Sequence, residues 1–482
     1  MASVTTIGFD MDYTLAEYHT TVEELAIRLT IERLVSEKNY PKEILNLSYD
    51  PEFAIRGLTL DKKTGNLLKM DTHRHISHAL HGFRPLSKSE RRELYRHERI
   101  RMSAKRFALV DTLFAVPEAW LYAALIDLFE TQTGRPLPRA RYRNIYTDIR
   151  HAIDRVHADQ SLKRIICADL STYIRKDPEL PKTLHQLRSA GKRLFVMTNS
   201  YGPYSNAVMT YLLDGMRPDY PSWRDYFDVI VVGARKPTFF TQGTPLYRLD
   251  DNLEPVEETI TALDSDTIYQ GGNLRQFEQF LDASGDEILY VGDHLYGDIL
   301  RSKKTCMWRT AMIVPELEHE LEVTERHAED FAQRNALEAH RAQIDRELSQ
   351  QHQLYDSLTE FTTRQTSEFP PDEQKALEHA RTLTLRNINR LKKALRNCLT
   401  HAWTLNDRLA AAYNPHWGML FKARTEHSLF GGQIETYACL YTSRVTNLLS
   451  YSPFQYFRTP RDRLPHEHLL MDPSSDPDRR DD

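Results

Sequence analysis

Four short apolar runs, each cut off by polar residues with reactive side chains, constrain this chain more than any other feature. Residues 4–9 run into Asp10-Met11-Asp12, and 192–197 into Thr198-Asn199-Ser200. Residues 226–233 run into Ala234-Arg235-Lys236-Pro237, and 287–292 into Asp293-His294-Leu295-Tyr296-Gly297-Asp298. Near-continuous apolar strands separated by helical stretches imply a parallel sheet covered on both faces. In an open α/β sheet, ligands bind beyond the carboxyl ends of the strands. The four polar groups are therefore expected to meet in one crevice.

Their chemistry is complementary. A carboxylate at the end of the first strand, Asp10, is placed to attack phosphorus and form an acyl phosphate. Asp12 is placed to protonate the leaving oxygen and then to accept a proton from water. Two acids so close do different work only when their surroundings separate their pKa values. Asp10 and Asp293, with the backbone carbonyl of Asp12, offer the hard oxygens that Mg²⁺ prefers. Thr198 and Ser200 offer hydroxyls, and the Thr198-Asn199-Ser200 loop offers N–H groups, to phosphate oxygens. Lys236 supplies fixed positive charge against the transferring group, and Asp298 is suited to orient Lys236 or metal-bound waters from outside. A bare Asp-x-Asp is most simply an acidic turn after a strand. Four groups in this order at four strand ends point to phosphoryl transfer.

The rest of the chain sets the frame. Its 482 residues, 40% hydrophobic and 27% charged, suit a soluble protein of two or more domains. A net charge of −5 argues against a nucleic-acid polymer as partner. Four widely spaced cysteines, without a CxxC pair, suit a reducing compartment and offer no cysteine-rich metal site. No leader and no membrane span are expected. Residues 20–38 read as a helix, 50–83 as turns and short strands, and 117–130 as an apolar helix. The run 71–81 holds four histidines; its flanks read as a hairpin, against a weaker zinc-site reading. The basic stretch 84–106 reads as a solvated helical face, with a polyphosphate or a neighbouring subunit as alternatives. In 148–159, Ile149, Ile153 and Val156 make a buried stripe, and Arg150, Asp154 and His157 follow the same spacing one residue on. By itself that is an ordinary Arg–Asp pair. Residues 316–363 and 372–406, split by Pro370-Pro371, read as an antiparallel helical hairpin, partly exposed or at a subunit contact. The aromatic stretch 413–464 is expected to pack back on the core. The acidic end from Asp472 is expected to be disordered.

Asp-x-Asp-Tyr-Thr, then Thr or Ser, then Lys, then Gly-Asp-x-x-x-x-Asp resembles the haloacid dehalogenase superfamily of phosphatases. More specifically, residues 9–16, 234–237 and 292–299 resemble the cytosolic purine 5′-nucleotidase family, as do Glu32-Arg33-Leu34-Val35, Tyr40-Pro41 and Thr112-Leu113-Phe114. The resemblance implies a haloacid dehalogenase-like three-layer α/β core, formed by residues 1–19 and 165–315. It also implies a cap and recognition insertion (20–164), the helical hairpin (316–406), a segment packing back (407–470) and a tail (471–482). It implies a cytoplasmic, Mg²⁺-dependent enzyme, expected to be a homo-oligomer, that hydrolyses 6-oxopurine nucleoside monophosphates such as IMP and GMP. Such enzymes also pass the phosphoryl group to a nucleoside. Phe114 would stack on the purine, Arg150, Asp154 and His157 would read its edge, and Lys163 would lie near the substrate; Ala158 stands where the family often has Tyr. A nucleotide effector site is implied at Tyr296 (in place of a Phe), Lys304, Arg309, Gln433 and Tyr437. Asp111 and Thr436 replace an Asn and an Arg there, which weakens the case for a polyphosphate. Two rival readings are a phosphatase for another phosphomonoester and a scaffold that has lost turnover.

Overall fold

The structure, a computed structural model, describes residues 1, 3–98, 100–101, 105–258, 260–300, 306–365 and 370–458, and for 296, 300, 364 and 365 the backbone alone. Lys304, the side chain of Tyr296 and the tail 471–482 lie outside the described residues.

Five strands carry the core: β1 (Thr6–Phe9), β2 (Arg193–Met197), β3 (Val229–Val232), β4 (Ile288–Gly292) and β5 (Arg309–Ile313). They lie in the order β5-β4-β1-β2-β3, each parallel to its neighbours. Among the described residues the sheet has nine strands, continuing past β3 into Ile268–Gly271, Leu246–Leu249 and Pro255–Val256, and past β5 into Leu440–Thr442. Side chains alternate between its faces, as the pleat requires. Ile7, Phe9, Leu194 and Val196 join the helices Leu180–Ser189 and Gly202–Leu213 on one face. Phe195, Met197, Val231 and Tyr290 join the helix Leu274–Leu281 on the other. The result is a three-layer α/β core around a largely parallel sheet, as the strand ends imply. Gly8 is needed within it: a Cβ there would lie 2.0 Å from the Phe195 ring.

Between β1 and β2 stand the helix Thr20–Lys38, a five-stranded antiparallel sheet, and the helices Val116–Thr133 and Arg139–Ala158. These build a second apolar cluster around Leu60, Leu67, Trp120 and Ile145. Two helices tie the clusters together. Val22 and Leu25 pack in the main core while Ile27, Ile31 and Leu34 pack in the insertion, and Val156 and Ile149 divide in the same way. The histidine run forms a hairpin, joining Asn66–Met70 to Ile76–His81. Its histidines are used singly: His81 bonds Asn66 and Glu130, and His75 bonds Asp71. Of the basic stretch, Lys88–Tyr95 is helical.

The expected first arm of the C-terminal hairpin is broken at His327 into Leu317–Arg326 and Ala328–Gln365. The second arm, Pro371–Tyr413, runs a turn or two beyond the expected end. The chain then returns: the helix Leu429–Tyr437 packs through Phe430 and Ile434 on Leu295 and Ile299. No helix among the described residues is long and apolar enough to cross a membrane.

Candidate active site

The strand order reverses between β1 and β4, since the chain fills one side of β1 with β2 and β3 and the other with β4 and β5. That switch point opens a crevice at the carboxyl ends of β1 and β4. Asp10 and Asp293 are the first residues past those two ends. Asp10, Asp293 and Asp298 are all buried, and each offers a carboxylate oxygen within 4.8 Å of the others. Lys236, delivered by the loop after β3, places its Nζ 3.0 Å from Asp10 Oδ2 and 2.7 Å from Asp298 Oδ1. It also donates to the Tyr290 hydroxyl at 2.7 Å, which in turn donates to the Met197 carbonyl. Asp298 Oδ2 accepts from the His294 N–H at 3.2 Å.

Burial pushes Asp10 well above the ordinary carboxylate range; Asp298, Asp293 and Asp12 add to this and Lys236 opposes it. Burial, with Asp298 adding, lifts Asp293 to about 7 against Arg56, His294 and Lys236. Burial pulls Lys236 down, but Asp10 and Asp298 outweigh it and hold the ammonium well above its ordinary value. Three carboxylates around one ammonium leave two negative charges when all are ionised. A divalent cation held by hard oxygens neutralises that remainder, so the donor set fits Mg²⁺.

Asp12 points elsewhere. Its Oδ1 accepts from the Tyr18 hydroxyl at 2.5 Å, and its Oδ2 accepts from Ser200 at 2.7 Å and Thr198 at 3.5 Å. Lys163 donates to Ser200 Oγ at 3.3 Å, and Tyr204 meets Tyr18, hydroxyl to hydroxyl, at 2.9 Å. Asn199 is committed to the neighbouring loop: its Oδ1 accepts from the Lys236 N–H at 2.6 Å and its Nδ2 donates to the Lys236 carbonyl. It thus joins the loops after β2 and β3 through its side chain.

At the mouth of the crevice the Phe114 ring, 38% exposed, meets Tyr13 at 4.8 Å and His157 at 5.7 Å between centroids. Burial, then Lys163 and Arg150, lower His157 to about 4, so it is neutral at pH 7. Arg150 and Asp154 form the i,i+4 pair the sequence allows, at 2.8 Å. Arg150 Nη1 has a second partner, Glu118 Oε2, at 2.9 Å. From Lys163 through Ser200 to Asp12 the hydrogen bonds run without a break.

The family described as the 5′ nucleotidase family matches residues 1–469. The chain belongs to it. A 5′-nucleotidase domain-containing protein of Dictyostelium discoideum is 32% identical over 479 residues, spanning 98% of this chain and 74% of that one. The 5′-nucleotidase domain-containing protein 2 of Rattus norvegicus and that of Homo sapiens are each 28% identical over 487 residues, covering 98% of this chain and 79% and 84% of theirs. Among solved structures, a predicted phosphoglycolate phosphatase from Haemophilus somnus pairs with 65% of this chain and 87% of its own at 14% identity, but a TM-score of 0.27 bears no weight on the fold. By family the chain is a 5′-nucleotidase, an enzyme that hydrolyses phosphomonoesters.

Of the residues that resemble an effector site, Arg309, Gln433 and Tyr437 lie among the described residues. Arg309 pairs with Asp286 at 3.1 Å. Gln433 and Tyr437 ride the helix Leu429–Tyr437, whose Tyr437 carbonyl accepts from Thr310. Asp111 lies 3.5 Å from His294 Nε2; burial lowers that imidazole, but Asp111 and the acids of the cluster lift it to about 8.

Among the buried charges that sequence reasoning missed, two adjoin the candidate site. Arg56, 1% exposed, is bidentate to Glu316 at 2.8 and 2.5 Å and donates to the Asp293 carbonyl at 3.0 Å. No local pattern announces it, because both partners lie more than 230 residues away. Glu118 did leave a signal: it is the single charge inside Val-Pro-Glu-Ala-Trp-Leu-Tyr, a run that is buried throughout.

Proposed function

We propose that this 5′-nucleotidase is Mg²⁺-dependent and hydrolyses purine nucleoside 5′-monophosphates, IMP and GMP in preference to AMP, through an aspartyl phosphate on Asp10. The observation that carries this is the grouping of Asp10, Asp293, Asp298 and Lys236 at the switch point. Asp10 and Asp293, with the Asp12 carbonyl, would hold the cation, which when bound offsets the charge of the carboxylates and phosphate, while Asp298, bonded to Lys236 and the His294 N–H, would orient its surroundings from outside. Lys236 holds Asp10 in place and meets the charge of the transferring group. Asp10 attacks phosphorus, the bond from phosphorus to the 5′ oxygen breaks, and Asp12 gives that oxygen its proton. Water then attacks the acyl phosphate, Asp12 takes the water's proton, and Asp10 is restored with release of phosphate. A nucleoside in place of that water gives phosphotransfer.

In the structure Ser200 and Thr198 are bonded to Asp12. A phosphate oxygen arriving between them takes over those hydroxyls and Lys163, and frees Asp12 to turn toward the leaving oxygen. Phe114 and neutral His157 flank the base, and Asp154 accepts from its N1–H. An adenine presents an acceptor at N1 and meets Asp154 like against like. The division into core (1–19, 165–315) and cap insertion (20–164), a cytosolic location and self-association belong to the same proposal. Free thiols at Cys167, Cys306, Cys398 and Cys439 support a reducing compartment.

The test is phosphate release from IMP, GMP, AMP and p-nitrophenyl phosphate, with Mg²⁺ and with chelator. Metal-dependent release, with kcat/KM for IMP and GMP far above that for AMP, is expected. Equal efficiency on AMP and IMP overturns the base reading. Release from no nucleotide leaves the scaffold.

A further inference from the structure

The helix Val116–Thr133 is apolar and buried almost along its length, yet Glu118 stands in its first turn at 4% exposure. An ionised carboxylate in such a place needs a charged partner. That partner is Arg150 on the neighbouring helix Arg139–Ala158, with Nη1 2.9 Å from Glu118 Oε2. Burial raises the carboxyl of Glu118 and Arg150 opposes the rise. Arg150 reaches from this buried anchor out to the half-exposed Asp154, where its Nη2 is 2.8 Å from Oδ1. Glu118 also bonds Tyr146, one turn earlier on that helix, but of the residues at the recognition edge it pairs with Arg150.

The position of Glu118 in its own segment adds a second constraint. Phe114 sits four residues before it, in the turn Leu113–Ala115 that runs directly into the helix. One turn of chain thus supplies both the aromatic platform and the anchor. The pair Glu118–Arg150 fixes the spacing between that platform and the edge bearing Asp154 and His157.

The charges decide what the edge prefers. One guanidinium between two carboxylates leaves one net negative charge, and the more exposed acid, Asp154, faces the mouth. With Glu118 neutral or absent, the guanidinium is satisfied only by Asp154, closes on it, and competes with the base for its oxygens.

We propose that Glu118 is a positioning residue for base selection: it anchors Arg150 from below, so that Asp154 stays available to accept hydrogen bonds from a purine that presents N1–H. This rests on the substrate reading above and deepens it. A base whose ring nitrogen donates gains from Glu118; one whose ring nitrogen accepts does not; a substrate without a base is indifferent to it.

The experiment measures kcat and KM for IMP, AMP and p-nitrophenyl phosphate with the full chain, as wild type, Glu118→Gln, Arg150→Ala and the double variant. Glu118→Gln keeps size and removes charge. The expected result is a fall of about tenfold in the IMP-to-AMP ratio of kcat/KM, carried by KM for IMP, with p-nitrophenyl phosphate unchanged. The double variant should match Arg150→Ala, since Glu118 acts only through that guanidinium. An unchanged ratio overturns the proposal. So does an equal loss on all three substrates, which would make Glu118 a structural residue only, and so does a further loss of the ratio in the double variant. A wild type that fails to distinguish IMP from AMP overturns the substrate reading itself, a result visible before any variant is made.

Discussion

Asp10 and Asp12 are one residue apart and sit in different surroundings, which is what two roles require. Asp10 is packed among Lys236, Asp293 and Asp298, while Asp12 is held by Tyr18 and Ser200. Asp10→Asn keeps the shape and removes the attacking charge; IMP hydrolysis should fall by roughly three orders of magnitude or more, measured as phosphate release from folded protein. Asp12→Asn removes the proton donor and leaves the nucleophile. It should damage IMP hydrolysis far more than p-nitrophenyl phosphate hydrolysis, whose leaving group needs little protonation, so equal losses would speak against the acid role. His157 permits a prediction in pH. Unfolded, it takes a proton near 6.5; folded, only near about 4. Between these values the unfolded chain binds more protons, so stability falls as pH drops from 6.5 toward 4. The contribution is about 1–2 kcal/mol, discounted for partial exposure. Urea midpoints at pH 7.5 and 5 should therefore differ less in His157→Asn than in wild type. The candidate catalytic residues were legible in the sequence because each lies in a loop that leaves the end of an apolar strand. Arg56 was not, because its role comes from Glu316 and Asp293, which only the finished fold brings to it.

At the scale of elements, period and punctuation carried most of the information. Residues 20–38 were readable as a helix, and the structure ends it at Asn39 in the left-handed region, with φ 55°. The stripe Ile149, Ile153, Val156 was readable too, but its division between two apolar clusters was not, since periodicity says that a face is buried and not what buries it. The break at His327 escaped notice because neither Pro nor Gly marks it. The demand on Gly8 also belongs to this scale. β1 lies between β2 and β4, and the Phe195 side chain fills the space above Gly8. Gly8→Ala forces a fully buried ring to move inside a close-packed layer, which should cost about 1–3 kcal/mol. A lowered thermal midpoint with an unchanged preference between IMP and AMP is the expected outcome. An unchanged midpoint would mean that the layer has room to yield there.

At the scale of the whole molecule, catalysis and the hairpin have little to do with each other. The groups that meet at the switch point come from β1, the loops after β2, β3 and β4, and the insertion. The two arms Ala328–Gln365 and Pro371–Tyr413 instead pack on one another around Ile344, Leu391 and Cys398. Near its base the second arm is tied in: the Tyr413 hydroxyl meets Thr324, its carbonyl bonds His319, and Asn414 donates to the Glu52 carbonyl. Ile344 and Leu391 mark a level at which the two arms are packed on one another. Those two side chains share one cluster, so the chain can be closed there without stretching. Replacing residues 345–390 by a short Gly/Ser linker should leave kcat and KM for IMP within about twofold of wild type, because loop closure over a short span costs little and no crevice residue loses a neighbour. If self-association runs through the outer arms, the shortened chain should elute at a smaller mass in size-exclusion chromatography while turning over normally. A shortened chain that folds, by circular dichroism and thermal midpoint, but has lost IMP hydrolysis would show that the hairpin reaches the active site through a partner subunit, and the separation argued here would be wrong.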